Sequence, residues 1–336
     1  MPAYNAGPFI ATAIEAVQAQ TIDGWELVIV DDCSTDSTLA IARSYAASDT
    51  RIRVFGRTAP SGGAYVPRTE AIGYARGEII APLDADDSIG PDYLERMLGH
   101  KRRGDLQAVY PICYDWDGAG EPVLHHLPDF ALTGRALRGR DAVKYTLDGW
   151  RIHCAGGLID KDLMLRSIAM TDEVAGGIMS FFDEYLTRIL LYNAGRVAMV
   201  DERYLYRVNT GSVTHSRDIR RLGTLGNNRR LIDFVESRYP TGSEERLLVH
   251  RQNFHGVVDA MRMLRRLELD RNESADARRQ IAANRALIDR KILKGRVSPR
   301  YSLLLRMPLI LSMPLLRIAD VIMGCRQAAS GAQRPR

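Results

Sequence analysis

Two apolar runs in the first ninety residues each end on clustered acid. Glu26-Leu27-Val28-Ile29-Val30 runs into Asp31-Asp32, and Glu78 to Leu83 runs into Asp84-Ala85-Asp86-Asp87. A short, fully apolar run bounded by turn residues reads as a strand buried on both faces. Around these runs the apolar spacing is helical. Phe9, Ile10, Ala13, Ile14 and Val17 fall on one face over residues 9–20. Ser34-Thr35-Asp36 offers N-cap chemistry to a helix over 37–47. Residues 66–76 read as a helix closed by Gly77, and Pro91 starts one that reaches to around residue 103. Arg51–Phe55 and residues 107–114 complete the strands. Strands alternating with helices predict an α/β fold built on a mostly parallel sheet. In such sheets ligands sit at the carboxyl ends of the strands, so both acidic clusters are expected to face one crevice.

Beyond residue 120 the pattern loosens. Residues 128–150 read as a loop and a helix, 154–168 as a strand and a short helix, 180–194 as a helix and 196–207 as a strand. Three arginine-rich helical stretches follow from 217 to 294, so a boundary is expected near 216, with a helical C-terminal region over 217–336. Residues 290–306 hold six basic residues and no acid, and Met307–Leu316 is a ten-residue uncharged stretch broken by two prolines. Ten residues are half a bilayer span. A basic segment joined to an apolar one suits a membrane interface, and residues 290–323 are read that way; a helix packed back on the protein is the alternative.

Composition excludes little. An apolar fraction of 46% and a charged fraction of 26% describe a globular chain, and a net charge of +5 suits anionic ligands or a membrane surface. Cys33, Cys113, Cys154 and Cys325 form no C-x-x-C pair and read as reduced thiols without a zinc site. With no signal peptide read at the start, a cytoplasmic location is expected, with peripheral contact at the inner face of the membrane. No G-x-G-x-x-G follows a strand, which disfavours a dinucleotide-dependent oxidoreductase. The arginines of 217–294 are interleaved with acids, which argues against a nucleic-acid surface.

Asp84-Ala85-Asp86 offers two hard oxygen ligands of the kind that Mg²⁺ or Mn²⁺ accepts while taking its other ligands from water and phosphate. Alone, such a D-x-D is as readily a solvated acidic turn with Asp87 as an N-cap. Here it follows Pro2-Ala3-Tyr4-Asn5, Val30-Asp31-Asp32-Cys33-Ser34-Thr35-Asp36 and the Gly63…Arg68…Ala71 segment, in that order. This series resembles the N-terminal half of family 2 glycosyltransferases, which have the GT-A fold. The resemblance implies a glycosyltransferase domain over 1–216, with a nucleotide-binding half at 1–110 and an acceptor-binding half at 111–216.

It further implies roles for single residues. The Pro2-Ala3-Tyr4-Asn5 loop would lie against the nucleotide base, with Asp31 or Asp32 accepting from base or ribose. Asp84 would contact the ribose and Asp86 the metal, across Ala85, with Arg68 near the diphosphate or base. Family members also carry Glu-Asp at the start of a helix and a later Y-R-x-x-x-x-S-x-T segment. Phe181-Phe182-Asp183-Glu184 and Tyr206-Arg207…Ser212-Val213-Thr214-His215 match these. Asp183 would be the base that takes the acceptor proton, with Glu184 as the alternative, and Arg207 and His215 would meet the leaving diphosphate. The donor implied is a nucleotide-diphospho-sugar, most often UDP-linked, and the cofactor a divalent cation. The acceptor implied is a glycan or lipid-linked hydroxyl in envelope polysaccharide synthesis, with inversion at the transferred carbon.

Three departures stand out. Arg68-Thr69 replaces the usual Arg-Asn, Phe182 stands where an acid is usual, and no strand precedes Pro2. The last is expected to leave backbone donors and apolar neighbours uncovered, and points to a start upstream or a truncated chain. Two rival functions follow. One is a catalytically degenerate nucleotide-sugar-binding or scaffold subunit at the membrane. The other is a nucleotidyltransferase, although residues 1–10 lack the Lys or Arg its triphosphate loop needs.

Overall fold

A computed structural model describes residues 1–125, 134–147, 154–172, 182–208, 222–264, 267, 269–289 and 291–293. His215, the Ser212–Thr214 segment and the expected membrane-facing stretch beyond 293 lie outside the described residues. Chain packing divides the protein into two compact units, Met1–Ser216 and Arg217–Arg336.

The first unit opens on a parallel three-stranded sheet of β1 (Pro2–Ala3), β2 (Leu27–Asp31) and β3 (Ile52–Gly56). The expected loop at Pro2–Asn5 is corrected at its first half. Pro2 and Ala3 lie beside Val30 and Asp31 as a strand, because Val30 N–H donates to Met1 O (3.0 Å) and Asp32 N–H to Ala3 O (2.8 Å). All five residues of β2 are buried, as a continuous apolar run requires. Helix α1 (Ile10–Gln18) turns its buried stripe of Ile10, Ala13, Ile14 and Val17 to the core. Helix α2 (Thr38–Ser48) connects β2 to β3, and α3 (Tyr65–Tyr74) follows. Gly77 does not cap α3; its C-cap is Ala75, in an extended conformation.

The second sheet has six strands. They are β4 (Ile79–Ile80), β5 (Ser88–Ile89), β6 (Ala108–Trp116), β7 (Val123–Leu124), β8 (Leu158–Asp160) and β9 (Val197–Arg207). Their order is β4-β8-β6-β9-β5, with β7 on β6. Only β6 and β9 are parallel; the other pairs run antiparallel. Parallel pairing is thus complete in the first sheet and confined to the central pair of the second. The run expected as a strand over 78–83 keeps only two paired residues, and Pro82 in its distal half has no N–H to give a ladder.

Helix α4 (Tyr93–Gly104) lies between β5 and β6 in the chain, α6 (Lys161–Asp172) follows β8, and α7 (Phe182–Asn193) precedes β9. A one-turn helix, α5 (Gly139–Ala142), comes before β8. One core joins Ile10 and Ile14 of α1, Ile29 of β2, Met97 of α4 and Val109 of β6. Each is fully buried, worth about 1.5–3 kcal/mol apiece. An apolar cavity of about 230 Å³ is bordered by Leu27 and Val28 of β2, Ala71 and Ile72 of α3, and Ile80 and Leu83.

The second unit is helical: α8 (Gly223–Arg238), α9 (Glu244–Leu264) and α10 (Arg271–Ala286). Phe254, Val257, Met261, Ala277 and Ile281 fill its core. Asp270 and Glu273 close a reciprocal capping box at the start of α10. Among the described residues, no helix is long and apolar enough to cross a membrane.

Candidate active site

The polar turn after β2 proves to be a clasp. Asn5 holds a left-handed backbone (φ 47°), tolerated best by Asn, Asp and Gly. Its N–H donates to Ser34 Oγ (3.0 Å), and its Oδ1 accepts from Thr35 N–H (2.9 Å). Ala6 N–H donates to Thr38 Oγ1 (2.7 Å) and Gly7 N–H to Asp36 Oδ2 (2.9 Å). Asp36 also accepts from Thr38 N–H, so it rather than the N-cap Ser37 satisfies the start of α2. The small hydroxylic residues therefore build the Tyr4–Gly7 loop, and Tyr4 is left 53% exposed at its tip.

Asp31 and Asp32 are both buried, to different ends. Asp32 sits 2.9 Å from Arg57 Nε and accepts from the N–H and hydroxyl of Ser61, so its oxygens anchor the segment after β3. Arg57 reaches on to Glu70 of α3. Asp31 accepts from Ser34 N–H through Oδ2 (3.1 Å), while its buried Oδ1 has no hydrogen-bond partner among the described residues. A buried acceptor without a partner is costly unless something else meets it.

Arg68, on the buried face of α3, donates from Nη2 to Asp84 Oδ1 (2.7 Å). Burial opposes its charge, but Asp84, Cys154 and Asp183 outweigh this and hold it firmly cationic. Cys154 is fully buried, and burial pushes its thiol up to about 12, against the pull of Arg68 and with the push of Asp183 and Asp84. Arg68, Asp84, Cys154 and Asp183 thus share one electrostatic neighbourhood, although they come from α3, the turn after β4, the loop before β8 and the start of α7.

The Asp84–Asp87 turn closes through Asp87 N–H to Asp84 O (3.2 Å). Ala85 is buried beneath it. Asp86 has its carboxyl pushed up to about 6, first by burial and then by Asp84. Asp87 is 1% exposed and is no N-cap: α4 begins after Asp92, and the Asp87 carboxylate accepts from Tyr204 Oη (2.6 Å) and Arg207 N–H (2.9 Å). Burial raises its pKa well above the usual range, with Asp86 and Asp84 adding to it. Arg207 donates from Nε to Asp86 O (2.9 Å) and from Nη1 to Asp117 O (3.3 Å), with its guanidinium over the rings of Trp116 (4.6 Å) and Phe9 (5.3 Å). It ties the turn to β6 and to the segment leading into α1.

At the start of α7 the two acids part. Asp183 is half-buried, and its carbonyl accepts from Thr187 Oγ1 (2.7 Å), whose hydroxyl also contacts Cys154. Glu184 is 5% exposed and faces Arg188 one turn on, at 3.9 Å. Burial pushes Glu184 well up and Arg188 down. Arg188 in turn donates to Glu184 O (2.9 Å) and Thr146 O (2.5 Å), pinning α7 to the residues after α5.

Tyr204, Cys154, Asp87 and Arg57 carry much of this geometry and were not singled out as site residues by sequence. Gly156 supports this geometry: its φ of 75° and its approach to the Tyr204 ring, which a Cβ would meet at 2.5 Å, demand glycine.

Among the described residues, no group of three or more His, Cys, Asp or Glu side chains could hold a metal. The paired carboxylates of Asp84 and Asp86 still fit a Mg²⁺ or Mn²⁺ ion. They are oxygen donors, mutually repelling and partly desolvated, and such ions take few protein ligands when a substrate supplies phosphate oxygens.

The family model described as Glycosyl transferase family 2 matches residues 1–157. A poly(ribitol-phosphate) beta-glucosyltransferase of Bacillus spizizenii is 39% identical over 124 residues, 36% of this chain and 20% of that protein. The chain therefore matches about a fifth of that relative. Among solved structures, Staphylococcus aureus TarS 1–349 in complex with UDP-GlcNAc superposes with a TM-score of 0.69 at 17% identity, over 99% of this chain and 91% of that one. A mannosyltransferase of Pyrobaculum calidifontis in complex with GDP-Man and Mn²⁺ superposes with a TM-score of 0.51 at 15% identity, over 95% and 85%.

Proposed function

Since residues 1–157 match the model of glycosyl transferase family 2 and the chain has the GT-A fold, we propose that it moves a sugar from a nucleotide-diphospho-sugar to an acceptor hydroxyl, with inversion. One observation carries this: Asp183, Arg68 and Asp84 converge on one neighbourhood beside the Asp84–Asp87 turn. A base, a fixed cation and paired carboxylates in one neighbourhood support a reading in which all of them serve a single donor.

The donor would lie with its base against Tyr4 and its diphosphate toward the turn. Asp31 Oδ1, buried without a partner, is the acceptor left for a base or ribose donor, whereas Asp32 is occupied by Ser61 and Arg57. Asp86, together with Asp84, which also faces the ribose, would hold a divalent cation, which when bound supplies charge neutralisation to the departing diphosphate. TarS with UDP-GlcNAc and the mannosyltransferase with GDP-Man and Mn²⁺ favour a nucleotide-sugar and a divalent ion.

Asp183 takes the proton of the attacking hydroxyl. Half-exposed, it can meet an acceptor from solvent, and it shares the electrostatic neighbourhood of Arg68. Glu184, buried against Arg188, anchors α7 and leaves the chemistry to its neighbour. Catalysis is then positioning of donor and hydroxyl together with stabilisation of the leaving group, without a covalent enzyme intermediate.

The acceptor proposed is a glycan or lipid-linked polymer of the cell envelope, by analogy with the poly(ribitol-phosphate) relative. The basic and apolar residues of 290–323 are proposed to bring the protein to the inner membrane face, and 217–336 to form a helical region that follows in sequence a catalytic domain ending at 216. His215 is proposed to meet the diphosphate beside Arg207. The test is nucleoside diphosphate release from UDP- and GDP-sugars in the presence of envelope polymer. Release that depends on Mn²⁺ and falls at least a hundredfold in Asp183→Asn supports the reading. Release unchanged in that variant overturns the base assignment, and no release from any donor favours the degenerate binding subunit.

A further inference from the structure

Taking Asp84 and Asp86 as the cation carboxylates, a reading that rests on the proposed function, we propose that the Tyr204 hydroxyl is the positioning group that keeps the Asp84–Asp87 turn in cation-binding shape. Tyr204 lies on β9, 2% exposed, and its hydroxyl reaches both ends of that turn. It donates to Asp87 Oδ2 (2.6 Å) and accepts from Asp84 N–H (3.4 Å). Asp86 lies between these two fixed points, and among the described residues no side chain donates to its carboxylate. Its direction is therefore set by the turn rather than by contacts of its own.

The hydroxyl is delivered by a rigid mount. Tyr204 pairs with Cys113 of β6 on one side and Ile89 of β5 on the other. Its ring packs against the backbone of Gly156, which Pro82 O and Tyr93 Oη hold through hydrogen bonds of 2.7 and 2.5 Å. A ring so confined cannot follow the turn if the turn drifts, so each hydroxyl bond constrains the turn and not the tyrosine. Groups one step behind metal ligands commonly set affinity in this way. The alternative is that Tyr204 only fills the core, in which case its ring matters and its oxygen does not.

Tyr204→Phe separates the two, because it keeps the ring. Free Mn²⁺ would be titrated against the full chain by electron paramagnetic resonance without donor, and amide exchange would be followed across residues 84–87. The expected result is Mn²⁺ binding weaker by about tenfold or more, with faster exchange at the Asp84 amide. Met97→Ala, a cavity in α4 that lowers stability without touching the turn, should bind Mn²⁺ as the wild type does. A Tyr204→Phe protein that binds Mn²⁺ within twofold of wild type overturns the inference alone. So does an equal loss of affinity in Met97→Ala, which would make the effect one of general stability. A wild type that binds no Mn²⁺ overturns the cation reading itself, and this inference with it.

Discussion

Arg68 and Asp84 form an ion pair, Nη2 to Oδ1 at 2.7 Å, that joins the buried face of α3 to the turn after β4. The arginine side chain is 5% exposed and the aspartate 29%, so the pair stands at the wall of the site with one partner open to a ligand. Replacing Arg68 by Met removes the buried partner and leaves Asp84 facing Asp86 unopposed. The expected cost is about 2–4 kcal/mol, toward the low end because Asp84 can hydrate. A urea titration followed by circular dichroism gives the value, and a loss below 0.5 kcal/mol (on the order of a surface pair) would contradict it.

Asp183 and Glu184 should respond oppositely to removal of charge. Asp183→Asn is expected to lower kcat by about 10²- to 10⁴-fold, the usual worth of a general base, with donor KM little changed. Glu184→Gln keeps shape where burial already disfavours the ionised form, and should retain kcat within about threefold. Steady-state kinetics of both variants with one donor checks the pair. Equal losses would return the base assignment to either acid.

Gly156→Ala should destabilise the first unit. The backbone there has φ 75°, and a Cβ would fall 2.5 Å from the Tyr204 ring and 2.9 Å from Pro111. Conformational strain alone costs about 1–3 kcal/mol, and the ring contact adds to it. Thermal unfolding by calorimetry should show the loss. A midpoint equal to wild type would mean that ring and loop separate at no cost.

Cation affinity should depend on pH in a stated direction. Asp86 has a folded pKa of about 6, above its ordinary 3.8. The proton therefore favours the free folded protein. The stability it contributes is full below the unfolded value and is lost as pH rises through 6. A cation needs the carboxylate and competes with that proton, so Mn²⁺ affinity should rise by about tenfold from pH 5 to pH 7 and then level. Asp84→Asn removes one of the two causes of the shift and should move the rise to lower pH. A flat profile in the wild type would contradict the placement of the cation on Asp86.

Much of the first unit was legible because its signals are local. The α1 stripe of Ile10, Ala13, Ile14 and Val17 is buried as its spacing predicts, and the run ending at Asp31 is the central strand of its sheet. Residues that act through distant partners were not legible. Asp87 reads as a helix cap in sequence, yet its carboxylate binds Tyr204, 117 residues on. Asp32 reads as a ligand contact, yet Ser61 and Arg57 occupy it. Ser34 and Thr35 read as helix N-cap chemistry, yet they are spent on the Asn5 loop. In each case the residue type was informative and its partner was not, because pairing across the sheet leaves no periodicity in the chain. The antiparallel pairing of β8 with β4 and β6 was hidden for the same reason.

The proposed site binds a nucleotide diphosphate through a cation that rests on Asp86. Isothermal titration of the protein with UDP, with and without Mn²⁺ and beside Asp86→Ala, tests it most directly. Mn²⁺ is expected to strengthen UDP binding, and Asp86→Ala to abolish the metal-dependent part. Binding of UDP that ignores both Mn²⁺ and the substitution, or no binding of UDP or GDP under any condition, would contradict it.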